Sequence, residues 1–215
     1  YFIEYMNQKN GKNQLGLDRC FEDLSNPIDL FKKWFDKAKE NEINDPNAVA
    51  LGTANTDNQP SVRMVLLKGL SDEGFVFYTN FNSKKGSDLN SNRLASMCFH
   101  WKSIRRQVRV IGEVEQVSDK EADEYYNSRA YGSRISAWAS SQSNTMESRD
   151  IFIKKIEEFK KKYPNEKNVP RPPHWSGWRI HPREIEFWVD GENRVHERLN
   201  YVKTNGSWIK KILYP

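Results

Sequence analysis

The segment Arg194-Val195-His196-Glu197-Arg198 holds three side chains able to carry positive charge at alternate positions. Alternate residues of a strand point to one side, so as a strand this segment puts Arg194, His196 and Arg198 on one face. The preceding run, Ile185-Glu186-Phe187-Trp188, is apolar and aromatic and reads as core. A cationic row beside such a run suits an anionic or electron-rich planar ligand, and the Trp188 indole offers a face for stacking. Two flanking arginines disfavour the charged form of His196, leaving a neutral imidazole as hydrogen-bond partner.

Four further clusters have anion-binding chemistry. Arg63-Met64-Val65-Leu66-Leu67-Lys68 brackets an apolar strand with two cations. Arg suits bidentate phosphate contact and Lys acts as a mobile point charge. On a regular strand these two face opposite sides. They serve different groups, or the strand bends, or they are edge charges flanking a core strand. Tyr78-Thr79-Asn80-Phe81-Asn82-Ser83-Lys84-Lys85-Gly86 crowds hydroxyls, an amide and two lysines before a helix. Helix N-termini attract anions, although solvated loop lysines fit the same pattern. Tyr125 and Arg129 lie four apart on one helix face, and Ser133 follows where Gly132 breaks the helix. That trio could cradle a phosphate monoester or merely support the helix. Ser141-Gln142-Ser143 sits in a polar loop of small residues that permits close backbone approach, or is a plain flexible loop.

Other chemistries find no support. There is no GxGxxG and no GxxxxGK(S/T), so nucleotide phosphates would be held by side chains. No Ser-His-Asp or metal-ligand spacing occurs. Cys20 and Cys98 are too few for a disulfide framework and read as structural.

The elements that must position these residues follow from periodicity. Residues 1–25 read as an irregular, partly flexible arm, and 26–215 as one domain. Asn26-Pro27 opens a helix with Ile28, Phe31, Trp34, Phe35 and Ala38 on its apolar stripe. Strands are expected at 48–54, 61–70, 75–79, 94–101 and 107–117, joined by short polar turns. A short helix is expected at 87–92. Ser118 and Glu121 form a capping box that starts a helix running to about Ser128. The small-residue segment 135–143 has no assigned element. A helix begins near Ser148, a Pro-rich linker covers 164–173, and strands return at 178–180, 184–189, 194–202 and 208–213. Antiparallel strands with inserted helices and no βαβ alternation predict a closed or partly closed β-barrel.

The chain has 215 residues, a net charge of +5 and a pI near 9.1. Its cations are interleaved with 29 acidic residues, so the excess reads as serving small phosphorylated ligands rather than nucleic acid. No apolar run suits a membrane span and the N-terminus is no signal peptide, which predicts a cytoplasmic protein. The chain starts at Tyr1 rather than Met, which leaves room for a missing leader.

Seven collinear motifs carry a resemblance: Arg63–Lys68, Tyr78–Lys85, Arg106–Val110, Ser128-Arg129 with Ser133, Ile135–Ser143 ending in SxQS, Ile185–Trp188 and Arg194–Arg198. Together they resemble the pyridoxine/pyridoxamine 5′-phosphate oxidase family. The resemblance implies a mainly β fold with flanking helices, an antiparallel Greek-key split β-barrel of FMN-binding type. It implies a homodimer with FMN at the subunit interface, oxidation of pyridoxine or pyridoxamine 5′-phosphate, and O2 as acceptor. For FMN it implies Arg63, Lys85, Gln142 and Ser143 at the phosphate and ribityl chain, and Met64, Val65, Leu66 and Leu67 along the ring. Lys68, Tyr78, Thr79 and Lys84 complete that wall, while Gln107, Trp188 and Arg198 reach the flavin from the partner. For substrate it implies Lys68, Tyr125, Arg129 and Ser133 at the phosphate, Arg194 and His196 at the pyridine ring, Tyr5 as a cover, and Asp45 as a nearby proton acceptor.

Three residues depart from the family pattern: Lys84 for Arg, Ala130 for Pro, and Glu197 for Asp, the last expected to point away from the ligand and matter little. Two alternatives remain. One is a related split-barrel flavoprotein with another substrate, which would lack the Tyr125/Arg129/Ser133 grip. The other is a nucleic-acid-binding β-barrel, which would show exposed aromatics on a basic face.

Overall fold

The protein is represented by a computed structural model that describes residues 11–215. Among these, nine strands form one sheet in the order β2-β1-β5-β6-β7-β4-β3, with β8 on β7 and β9 on β8. The strands are β1 (Ala48–Ala54), β2 (Pro60–Leu66), β3 (Gly69–Ser71), β4 (Gly74–Asn80), β5 (Leu94–Trp101), β6 (Arg106–Gln116), β7 (Trp175–Val189), β8 (Glu197–Thr204) and β9 (Ser207–Leu213). All neighbouring pairs are antiparallel. The sheet curls, and the Lys68 N–H beyond β2 donates to the Val76 carbonyl of β4 at 2.8 Å. The expected mainly β antiparallel fold with flanking helices forms, as a sheet curled into a half-barrel.

Alternation drives the curl's inner face. On β5, Met97, Phe99 and Trp101 are buried while Cys98 and His100 face outward. Helix α1 (Pro27–Asn41) lies against that inner face. Its N-cap Asn26 side chain accepts from the Ile28 N–H, with Pro27 in the first turn as expected. Phe31 meets Phe75 edge-on at 4.9 Å and Phe99 at 5.0 Å, and Trp34 meets Phe187 at 5.1 Å. Aromatic burial thus supplies what a chain of low aliphatic content lacks.

Four helices follow α1. They are α2 (Lys84–Ser91), α3 (Asp119–Ser128), α4 (Tyr131–Ala139) and α5 (Arg149–Lys162). The structure corrects several expectations. Helix α2 starts three residues earlier than 87, because the Ser83 side chain caps it by accepting from Gly86 N–H. Gly132 does not break a helix; it lies in the first turn of α4, which continues through the small-residue segment. Tertiary packing makes that segment helical: Ile135 is fully buried, and the Trp138 indole packs on Phe159 of α5 and donates to the Pro170 carbonyl.

The two strands expected at 178–180 and 184–189 are one long strand. β7 pairs with β4 through its first half and β8 through its second, while β6 follows its other side. A bulge at Ile111/Gly112 faces Pro182, where β7 changes partner. A Cβ at Gly112 would fall 2.0 Å from the His181 carbonyl oxygen, so that crossing requires glycine. The arm expected at 1–25 is irregular over its described part, with one isolated bridge, Lys12 to Asp18. It still delivers Leu17 and Phe21 into the core, so packing begins before residue 26. Cys20 and Cys98 are free; burial pushes the Cys20 thiol up to about 12 and raises Cys98, as structural thiols require.

Candidate active site

The sheet edge, α2, α3 and α4 enclose a cavity of about 540 Å³, a size suited to a small ligand. Met64, Val65 and Leu66 of β2 form one wall, and Tyr78 and Thr79 of β4 another. Two sets of cations reach it.

The first set is built on the β4–α2 turn. Lys85 is only 9% exposed, and its ammonium donates to Gln142 Oε1 at 3.0 Å and Ser83 Oγ at 3.2 Å. No carboxylate among the described residues pairs with it. Burial, and then the charge of Arg63, hold its pKa below the ordinary lysine value. Arg63 packs behind the cavity wall, donating to the Leu51 carbonyl, Thr53 Oγ1 and Ser61 Oγ. Asp88, 3% exposed, accepts from Thr53 and lies 3.8 Å from Arg63 and 3.5 Å from Lys84. It organises the cations without touching Lys85. Gln142 also accepts from Thr79 Oγ1 at 3.4 Å, which ties the loop after α4 to β4. In that loop Ser143 adopts φ 73, a left-handed conformation costly for a residue with a side chain.

The second set comes from the turn after β2, from α3 and the residue that caps its end, and from α4. Lys68, Tyr125, Arg129 and Ser133 all line the cavity. Arg129 lies 4.6 Å over the Trp175 ring, and its Nη1 is buried with no hydrogen-bond partner. Burial lowers its pKa, an effect only partly opposed by Tyr125 and Tyr126. Tyr78, Tyr125 and Trp175 stack nearly parallel, Tyr78 to Tyr125 at 3.9 Å. Burial and the nearby Glu121 push the Tyr78 phenol up to about 12, so it stays a hydrogen-bond donor. A buried cation without a counter-charge is expensive. Lys85, buried, and Arg129, half-buried with its Nη1 buried, both fit anionic groups such as a phosphate.

Gln107, Trp188 and Arg198 do not reach this cavity. They are register partners across β6, β7 and β8, forming a separate row. His196 packs on Trp188 at 4.6 Å. The expected single strand face from Arg194 to Arg198 does not form. Arg194 closes a short helical turn at φ 63 after Asn193 at φ 54, and β8 begins only at Glu197. The chain reverses there instead of extending: a Cβ on Gly191 would lie 1.9 Å from the Val195 carbonyl oxygen. The Gly191 N–H donates to His196 Nδ1, and Asp190 Oδ1 lies 3.2 Å away, so a carboxylate rather than two arginines is the charge beside the ring.

The remaining expected residues scatter. Leu67 turns into the core and leaves a ligand only its backbone. Lys84 is exposed and Ser143 lines a neighbouring cavity. Asp45 is exposed at φ 41 in the turn between α1 and β1, outside the cavity lining. Tyr5 lies outside the described residues. Glu197 is not idle: it takes the Lys12 ammonium on one oxygen and the Asp18 N–H on the other, fastening the arm beside His196.

Sequence reading missed Trp175, Asp88 and Glu186. Glu186, assigned to a core run, is 2% exposed and holds Arg198 Nε at 2.8 Å and Arg109 Nη2 at 3.3 Å. A lone carboxylate inside an apolar run facing arginines on neighbouring strands is the signal that would have found it. Among the described residues no cluster could hold a metal, and no helix is long and apolar enough to cross a membrane.

Comparisons with known proteins extend these observations. The family model described as "Pyridoxamine 5'-phosphate oxidase" matches residues 35–163, and "Pyridoxine 5'-phosphate oxidase C-terminal dimerisation region" matches residues 175–215. A protein of Pelagibacter ubique named pyridoxine/pyridoxamine 5'-phosphate oxidase is 59% identical over 96% of this chain and the whole of its own length. One of Rhizobium etli with the same name is 52% identical over 91% of this chain and 95% of its own. The solved structure of PhzG from Burkholderia lata 383, in complex with tetrahydrophenazine-1-carboxylic acid, superposes with a TM-score of 0.85 at 29% identity. It covers 91% of this chain and 96% of its own. An FMN-binding protein of Nostoc punctiforme, related to pyridoxamine 5'-phosphate oxidase, shares the fold at a TM-score of 0.71 and 15% identity over 90% of this chain and 99% of its own. Both family matches fall on the two residue sets described above, the first on the cavity and the second on the Trp188–Arg198 row, and the chain belongs to the pyridoxamine 5′-phosphate oxidase family.

Proposed function

We propose that the protein oxidises pyridoxine or pyridoxamine 5′-phosphate to pyridoxal 5′-phosphate, with FMN as cofactor and O2 as electron acceptor. The observation that carries this reading is one cavity reached by two cations, the buried Lys85 and the half-buried Arg129 whose Nη1 is buried without a partner, neither paired with a carboxylate among the described residues. Two phosphate-bearing molecules satisfy both. Bound FMN would supply the redox chemistry, accepting hydride from substrate C4′ at its N5 and passing the electrons to O2 to give H2O2.

The chain's own residues bind and orient. Arg63, Lys85, Gln142 and Ser143 hold the FMN phosphate and ribityl chain, with Met64 to Leu66 along the ring. Lys68, Tyr125, Arg129 and Ser133 grip the substrate phosphate. Gln107, Trp188, Arg194, His196 and Arg198 lie in the other residue set, and in a homodimer they meet the partner's cavity. Arg194 and His196 then face the pyridine ring, His196 as hydrogen-bond partner of its phenolic oxygen. Holding two planar rings in contact supplies proximity, worth roughly 7–11 kcal/mol for a well-aligned pair.

Purified protein should be yellow, and under air should convert pyridoxine 5′-phosphate to pyridoxal 5′-phosphate while producing H2O2. Arg129→Ala should raise KM for the phosphorylated substrate by the loss of a charge-assisted contact, about 1.5–3 kcal/mol. Colourless protein that cannot be loaded with FMN, or no turnover when loaded, contradicts the reading.

A further inference from the structure

Trp175, the first residue of β7, is 6% exposed and lines the cavity, yet the reading above gives it no role. The groups it touches define one.

Arg63, Arg171, Arg179 and Arg198 each meet a carboxylate. Arg129 meets none among the described residues. Its guanidinium lies 4.6 Å from the centre of the Trp175 ring instead, with the Tyr126 ring further off at 5.9 Å. These two kinds of partner act differently on a ligand. A carboxylate holds a guanidinium and cancels its charge. An aromatic face holds it through the ring quadrupole and leaves the full charge to act outward. Arg129 Nη1 is buried with no hydrogen-bond partner, so hydrogen bonding does not fix that nitrogen, and the ring beneath it does.

The seat is itself fixed. The Trp175 ring is within 9° of parallel to Tyr78 and Tyr125, and it meets Tyr126 edge-on at 5.2 Å. The Trp175 N–H donates to the Pro172 carbonyl at 3.0 Å, and its own carbonyl accepts from Arg171 Nη1 at 2.9 Å. Arg171 also donates to Asp119 and Asp123 of α3, the helix whose C-terminal cap is Arg129. One arginine thus ties the seat to the helix that carries its occupant.

We infer that Trp175 is a positioning residue for substrate binding: its ring face holds the Arg129 guanidinium at the cavity wall without cancelling its charge. The inference rests on the proposed reading of Arg129 as a substrate-phosphate contact.

The test uses FMN-loaded enzyme and pyridoxine 5′-phosphate. Tryptophans with one, two and three ring fluorines, placed at Trp175 alone, drain electron density from the face and leave its shape nearly unchanged. KM should rise with each fluorine. Trp175→Phe, a weaker face, should raise KM about threefold and Trp175→Leu about tenfold, in each case by more than kcat falls. FMN affinity, read by fluorescence titration, should hold across the series, since Lys85 rather than Arg129 meets the cofactor phosphate in the proposed reading. A KM that ignores fluorine while Trp175→Leu raises it overturns the inference, because the ring then only fills space. FMN affinity lost in step with KM overturns it too. In an Arg129→Ala background, Trp175→Leu should raise KM no further. A further tenfold rise there means that Trp175 acts through something else, and the inference falls. Arg129→Ala by itself separates the two claims. If it leaves KM unchanged, the pocket assignment fails; if it raises KM while the fluorine series is flat, only the role of Trp175 fails.

Discussion

Lys85 shows how a single side chain's surroundings define its ligand. Its ammonium is buried, meets only neutral oxygens and feels Arg63 as a like charge. An anion binds the charged form. Because burial and Arg63 lower the folded protein's pKa, that form is lost as pH rises through a value below the usual lysine range. FMN affinity should therefore fall from neutral to alkaline pH earlier than an ordinary lysine titrates. Lys85→Arg should flatten that fall, since a guanidinium stays charged. Fluorescence titration of FMN over that range measures both, and a flat profile for the wild type contradicts the assignment. Lys85, Gln142 and Arg129 were legible in sequence because their motifs are local. Asp88 and Glu186 were not, because each meets its partners across neighbouring strands or on a packed helix, and such pairings are invisible until the fold is known.

At the scale of elements, helix α4 joins structure to ligand. Gly132 in its first turn lines the cavity, and a Cβ there would meet nothing within 4 Å. Gly132→Ala should stabilise the helix by up to about 1 kcal/mol. The same methyl would narrow the phosphate mouth, so KM for the phosphorylated substrate should rise while Tm does not fall. A drop in Tm would show that the site is packed rather than open. The arm gives a second case. Glu197 fastens Lys12 and Asp18 to the start of β8. Glu197→Ala should release that bridge at a cost of about 1–2 kcal/mol, and limited proteolysis at Lys12 and Arg19 should quicken. Unchanged cleavage would mean that Leu17 and Phe21 alone hold the arm. Periodicity revealed α1, α3 and the antiparallel strands, but not that β2 and β4 end up at different places in the sheet. It missed α4, whose small polar residues have no strong helical signal and owe their form to Trp138 and Ile135. It also split β7 at Pro182, which reads as a breaker but sits at a bulge where the strand changes partner.

At the scale of the whole molecule, one sheet face carries exposed apolar side chains. Val62, Ile111 and Ile209 lie on a continuous register row running through Gly52, Ser96, Glu184 and Val202. Val62 is 71% exposed, and Met64 beside it on β2 is 63% exposed. Exposed apolar surface of this kind marks a contact face. It carries the Trp188–Arg198 row as well, four residues along. A twofold axis over this face would bring the row of one copy to the cavity of the other, completing two equal sites. The residues alone gave both sets but not their separation, since motifs show order along a chain; only the family resemblance put Gln107, Trp188 and Arg198 on the partner.

Subunit mixing tests this most directly. One variant carries Lys68→Ala and Arg129→Ala, damaging the cavity set; the other carries Arg194→Ala and His196→Ala, damaging the second set. Each homodimer should be nearly inactive. Co-expressed together, they should form heterodimers in which one of two sites is wholly intact, restoring roughly a quarter of wild-type turnover for a random mixture. If no activity returns although heterodimers form, each site is built within a single chain, and the two-subunit account is wrong.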